Sequence, residues 1–455
     1  MNFSLEAGKG GFTMTGTKIE EMAIYPAAGR DSMRLSLRGA QGPFFIRNIV
    51  LLTDSRGRQG LGETAGGTEV GQLLESVRPL IENSLIAQYK NTLQKAGHCL
   101  RKRARHCLPA RGKAPDTLAG AVLVALEAAL LDLLGQELGV PAAALLGDGQ
   151  QRDRVKIYGS LFYIGDQHKT DLPYLEENES LCPWHRRRRE EALTPAALAS
   201  LAETAGERYG IRDFKLKGGV FLGRDELEGA RAVRKSRGAP QVAVAPGGCW
   251  TFEEALALRG SLAEMAYCEA PVGAEEGFSV RETIAGLKTR LGAGLAVRLD
   301  SMDWREIRHI LRLESCDILL TDQRAWTMGG SVLLGQLCRS FDLAWGACLD
   351  AHFDISLAML CHTAAAIPGE ILPLDSPWIW QEGRERLSKQ PYDIAAGRVV
   401  IPDKPGLGLE VDRKRLDAAK ELYEGIAPIY LSEEANMQYL LPGWRYSARK
   451  PCLVR

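Results

Sequence analysis

From about Val155 onward the chain repeats one pattern: a short apolar run, then a stretch whose apolar residues recur at helical spacing. The runs are Val155–Tyr163, Asp213–Lys217, Gln241–Ala245, Met265–Glu269, Gly294–Arg298, Cys316–Asp322, Leu343–Cys348 and Glu370–Leu374. Most are rich in Val, Ile, Leu and Ala without clean alternation, as suits parallel strands buried on both faces. Amphipathic stretches such as Thr194–Tyr209, Ser279–Leu291 and Trp304–Leu313 lie between them. Strands and helices alternating in this way predict a (β/α)8 barrel. Function in that fold collects at the C-terminal strand ends. Those ends carry Lys217, Ala245, Glu269, Arg298, Asp322, Cys348 and Asp375.

One strand end has chemistry of its own. In Phe214-Lys215-Leu216-Lys217-Gly218-Gly219 the two lysines point to the same side of a strand. Adjacent ammonium groups repel, and burial lowers a lysine pKa. The pair therefore wants an anion beside it, or works as a base, or is a solvated strand end.

The flanks read as a second unit. Residues 1–17 form a flexible tail, 18–150 an α+β capping domain, 151–395 the barrel, and 396–455 a segment packing back on the cap. Within the cap, Phe45–Asp54 is strand-like, and Thr117–Gly139 is helical with Gly139-Val140-Pro141 as its stop signal. Fifty-seven basic and 57 acidic residues balance, which argues against general binding to nucleic acid or an anionic membrane. No apolar run approaches the ~18 residues of a membrane span without polar breaks. Met1–Thr17 lacks the charged and apolar regions of a signal peptide. Ten scattered cysteines without a C-x-x-C pair read as free thiols, and the chain as cytoplasmic.

Two basic segments stand apart. His98-Cys99 and His106-Cys107 flank an arginine-rich stretch, but their spacing matches no standard zinc finger. They read as a solvated basic loop. Trp184-His185-Arg186-Arg187-Arg188-Arg189 likewise reads as a solvated loop and helix start, with contact to an anion or acidic partner as the alternative.

Several motifs together resemble the enolase superfamily, and within it glucarate dehydratase and its related-protein branch. They are Lys215-Leu216-Lys217, Asp322, the run His352-Phe353-Asp354-Ile355-Ser356-Leu357-Ala358-Met359, Trp378-Ile379-Trp380-Gln381-Glu382-Gly383 and Met437-Gln438-Tyr439-Leu440. The resemblance extends from about Lys18 to Arg455 and implies the barrel with its α+β cap. It also implies a chemistry. A base removes the proton next to a carboxylate, Mg2+ stabilises the enediolate, and a β-hydroxyl of an acid sugar leaves. In that family three side chains at the ends of strands three, four and five hold the metal. A lysine on strand two is one base. A histidine on strand seven, oriented by an aspartate on strand six, is the other.

Mapped onto this chain, the resemblance is incomplete. Lys215, Lys217, Glu269 and Asp322 match. Ala245 stands where the strand-three aspartate ligand belongs, Arg298 where the strand-five asparagine ligand belongs, and Cys348 where the histidine belongs. At substrate-contact positions Arg30 replaces a histidine, Ser160 a tyrosine, Pro377 a histidine and Leu431 an arginine. Mg2+ wants octahedral oxygen ligation, largely from carboxylates and water. One carboxylate beside a permanent guanidinium charge does not provide it, so the expectation is a magnesium-dependent family and a chain with no cofactor. A Glu269 pair with Arg298 or Lys217 would fill the gap, and Asp322 would have nothing to orient.

Three functions follow. The first is a glucarate dehydratase-like protein with an eroded site that cannot dehydrate glucarate by the family route. The second is an active dehydratase of D-glucarate or L-idarate, or a metal-free enzyme or binder for an acidic small molecule, with Lys215, Lys217, Arg298 and Arg30 lining a cationic cavity and Asp350 paired to one of them. The third is a non-catalytic partner of an active relative, as a homo- or hetero-oligomer. Charge balance discriminates: cations neutralised from within make a plug, and a surplus makes an anion site.

Overall fold

The computed structural model describes residues 16–107, 115–174, 182–238, 240–381, 385–390 and 392–454. Seven parallel strands run side by side: Gly159–Ile164, Asp213–Lys217, Gln241–Ala245, Cys268–Glu269, Leu295–Leu299, Ile318–Asp322 and Ala344–Cys348. Residues 371–375 close the ring. Leu374 and Asp375 bridge in parallel to Ile157 on one side and Cys348 on the other. The eighth strand therefore ends on Asp375, one residue beyond the run read from sequence. Inside the ring Tyr158, Ala243, Tyr267, Ala296, Ile318 and Leu320 pack into a compact layer. In parallel strands buried on both faces every second residue points inward, so Ser160, Lys215, Ala245, Glu269, Arg298 and Asp322 form the next layer up, at the mouth.

The N-terminal region pairs Ile19–Arg30 and Phe44–Asp54 in a long antiparallel hairpin, with Gln59–Ala65 on its edge. The segment around Gly60–Thr68, which reads as a Gly-rich loop, is mostly this third strand. Gly60 and Gly62 are small because the backbone of the Pro115–Leu138 helix passes over them; a Cβ on Gly62 would lie 2.0 Å from the Ala125 carbonyl oxygen.

By length and composition that helix could cross a membrane, although Glu127 and Asp132 break its apolar run, in keeping with the expectation that no unbroken run is long enough. Nearly all of its apolar stretch is buried inside the protein, so it is a core helix. The C-terminal segment lays the Arg413–Glu424 helix on the first hairpin strand, and its last residues reach the barrel, with Cys452 N–H donating to the Gly219 carbonyl at 2.9 Å.

The Trp184 basic run is a helix start, as the sequence predicts, with Arg186 and Arg187 exposed, but Trp184 and Arg188 are buried and not solvated. It is a short helix, Pro183–Arg187, whose Trp184 is fully buried and donates its indole N–H to the Ile379 carbonyl at 3.0 Å, beside Arg188 at 2.9 Å. His98 and Cys99 sit on the Tyr89–Cys107 helix, while the side chains of His106 and Cys107 lie outside the described residues. The tail 1–15 also lies outside them.

Candidate active site at the barrel mouth

Lys215 is completely buried, and its ammonium group is held by two carboxylates, Glu269 and Asp375, the latter at 2.8 Å. Glu269 is two strands away, across a strand that presents the small residues Ala243 and Ala245 opposite Lys215 and Lys217. Lys217 comes from the same strand and bonds Asp375 at 2.5 Å. Ser160 donates to the other oxygen of Asp375 at 3.0 Å.

Electrostatics fix the protonation states. Burial would lower the Lys215 pKa, but Asp375 and Glu269 outweigh it and hold it well above the ordinary value. Burial likewise pushes the Glu269 and Asp375 carboxyls up, and the lysines more than reverse this. Lys215 is an ammonium ion and not a free base.

A second cluster adjoins the first. Glu269 takes Lys215 and not the Arg298 or Lys217 that the sequence leads one to expect, and Arg298 turns elsewhere. Its Nη2 bonds Asp322 at 2.8 Å and its Nε bonds Asp300 at 2.7 Å. The guanidinium of Arg324 bonds Asp322 at 2.5 Å and also bonds Asp350. Asp322 thus anchors two arginines. Arg298 has a carboxylate on each neighbouring strand, Glu269 and Asp322; Glu269 is taken by Lys215, and Arg298 bonds Asp322.

Behind this cluster, Arg47 from the N-terminal hairpin bonds the carbonyls of Asp350 and Ala351, and Glu63 accepts from the amides of Phe353 and Ser356 at 2.9 and 2.8 Å. Cys348 is buried, which raises its thiol pKa, and it donates only weakly to the Thr321 carbonyl at 3.7 Å.

The structure therefore brings together Lys215, Lys217 and Glu269 in one cluster and Arg298, Asp322 and Asp350 in the other. It does not bring in Arg30, the expected fourth cation, whose guanidinium lies 5.5 Å from the centre of the Phe44 ring. Two residues central to the geometry carry no role in the sequence reading. Asp375 is visible there only as a strand end, and Arg324 stands two residues after Asp322. That i, i+2 spacing at a strand end was the available signal.

The magnesium implied by the resemblance does not fit these side chains. The one carboxylate at a ligand position, Glu269, already carries an ammonium group, and its neighbours are a methyl and a guanidinium. Among the described residues no three carboxylate, histidine or cysteine side chains converge as a metal site would require.

A barrel of this topology with charged residues at its C-terminal strand ends, joined to a two-part cap, is the architecture of the enolase fold. A family model described as enolase C-terminal domain-like matches residues 197–415. The chain belongs to the enolase superfamily.

Among curated proteins it is similar to a probable glucarate dehydratase of Streptomyces coelicolor, 27% identical over 406 residues that cover 88% of this chain and 90% of that one. An arabinonate dehydratase of Saccharolobus solfataricus is 26% identical over 303 residues, covering 63% and 68%. Among solved structures, an enolase of Pseudomonas fluorescens with bound magnesium, potassium and tartrate superposes with a TM-score of 0.86 at 27% identity, covering 96% of this chain and all of that one. An enolase of Thermobispora bispora complexed with magnesium and formate gives 0.83 at 25% identity, covering 95% and 99%.

Proposed function

We propose that this chain is an acid-sugar dehydratase-like protein that has lost the metal-dependent reaction of its relatives. One observation carries the reading: the Lys215 ammonium occupies Glu269, so the surviving ligand is neutralised from within. Ala245 offers no oxygen, and the positive charge of Arg298 sits where a cation would have to enter. Without Mg2+ the enediolate loses electrostatic support worth several kcal/mol.

The remaining catalytic positions agree. In this reading Lys217 and Asp322 are remnants: Lys217 is bonded to Asp375 and Asp322 to two arginines. Cys348 at the histidine position is a buried thiol whose pKa is raised by that burial, which suits no general base near neutral pH.

The test is direct. Purified protein is titrated with Mg2+ by calorimetry and assayed for dehydration of D-glucarate and L-idarate. Family-like turnover removed by Lys217→Ala overturns the reading. If the chain is inert but alters the activity or assembly of an active relative mixed with it, the partner role is selected over that of an independent binder.

A further inference from the structure

A cavity of about 340 Å3 opens in the C-terminal segment, and its lining shares no residue with the barrel mouth. Two short arms build it, residues 443–447 and 450–454. Trp444 ties them together, its buried indole donating N–H to the Cys452 carbonyl at 2.7 Å. Cys452 in turn donates to the Gly219 carbonyl and Leu453 to that of Val220, which fastens the second arm to the loop after strand Asp213–Lys217. Gln438 holds the first arm from the helix before it, its Nε2 donating to the Trp444 carbonyl at 3.2 Å. The cavity is therefore preformed, and its volume falls at the lower end of small-molecule sites.

The lining carries one sign of charge. Arg445 and Lys450 stand on opposite arms and both are exposed. Among the described residues neither has an ion-pair partner, and no carboxylate lines the cavity. Arg449 beside them, outside the lining, pairs with Glu275 at 3.4 Å. The Ser447 hydroxyl adds a donor. The remaining wall is apolar: Pro451, Val454 and the ring of Tyr446. That ring is 47% exposed and packs against no other ring among the described residues. Two cations and a hydroxyl suit the charge and oxygens of a phosphate, and an unstacked ring suits a flat one.

We infer that this cavity binds a phosphate ester carrying an aromatic ring, of the mononucleotide class, with the phosphate between Arg445 and Lys450 and the ring against Tyr446. An acid sugar has no flat apolar face and would leave Tyr446, Pro451 and Val454 unused. The inference does not rest on the loss of metal chemistry, because the cavity and the mouth have no group in common.

The probe is adenosine monophosphate, titrated by calorimetry into the full chain without divalent metal, with inorganic phosphate and adenosine as controls. The nucleotide should bind about tenfold more tightly than either control, because it alone engages both halves of the site, and its affinity should fall as salt rises. Arg445→Ala and Lys450→Ala should each weaken it about three- to tenfold. Both side chains are exposed, so neither change should unfold the chain, and circular dichroism checks this. Tyr446→Ser should weaken the nucleotide about tenfold and leave inorganic phosphate unchanged, a split that a merely structural tyrosine would not produce. No saturable heat with the nucleotide, inorganic phosphate bound as tightly, or affinity indifferent to the Arg445→Ala/Lys450→Ala double change overturns the inference.

Discussion

Lys215 and Glu269 form a buried ion pair across the third barrel strand, on which Ala243 stands opposite Lys215 and Ala245 opposite Lys217. Here an internal ammonium supplies the positive charge that the carboxylates at the mouth require.

Removing that ammonium should cost far more than a surface change. Lys215→Met leaves Glu269 and Asp375 buried with one cation fewer, and breaking a buried pair in this way costs about 3–5 kcal/mol. The double variant Lys215→Met/Glu269→Gln should recover part of the loss. Urea unfolding of the three proteins measures both; a single variant as stable as the parent refutes the pairing.

Magnesium should give no saturable heat on titration, and Glu269→Gln should change nothing in that experiment. The variant Ala245→Asp/Arg298→Asn supplies two ligands and removes the opposing charge, so it should gain Mg2+ binding. Adding Cys348→His should not bring turnover with it. The contacts at Arg30, Ser160, Pro377 and Leu431 still differ from the family pattern, and a misplaced substrate alone can cost about 100-fold. Turnover in the triple variant at the level of an active relative contradicts this.

Stability should fall as pH rises from about 4 to 7. Burial raises the Glu63, Glu127 and Glu226 carboxyls to about 7 and Asp132 to about 6, while amide bonds from Phe353, Gly329, Val220 and Leu407 respectively act against it. A folded-state pKa above the unfolded value means that the native protein holds its proton longer. That stabilisation is full below the unfolded pKa and lost as pH rises through the folded one.

Asp375, Asp322 and Asp350 have the opposite sign. Against burial, their lysine and arginine partners hold them below the ordinary carboxylate range, and their contribution fades as pH falls below about 4. Chemical denaturation across pH should therefore show a maximum near pH 4–5. Glu63→Gln should flatten the slope on its alkaline side, and an unchanged slope would exclude Glu63 as a contributor.

Much of the barrel was legible because its periodicity is local. Asp213–Lys217 and Gln241–Ala245 begin and end where the apolar pattern does, and the Trp304–Leu313 helix matches its sequence span. Trp184 and Arg188 were misread because a run of arginines looks solvated until the Ile379 carbonyl is found beside it. The Pro115–Leu138 helix shows the same limit, since its apolar surface is explained by what covers it and not by its composition.

At the mouth, sequence alone determined which side chains are present: Lys215, Lys217, Glu269, Arg298 and Asp322 with charge, Ala245 and Cys348 without. Only the tertiary structure decided the partners. Glu269 went to Lys215 and not to Arg298, Arg298 went to Asp322, and Asp375 joined the two lysines from two strands away in the other direction round the ring. The reason is physical. Strand periodicity sets which way a side chain points, but an ion pair needs two groups within about 4 Å, and distances across a closed barrel are fixed by strand order and register, which no single strand encodes.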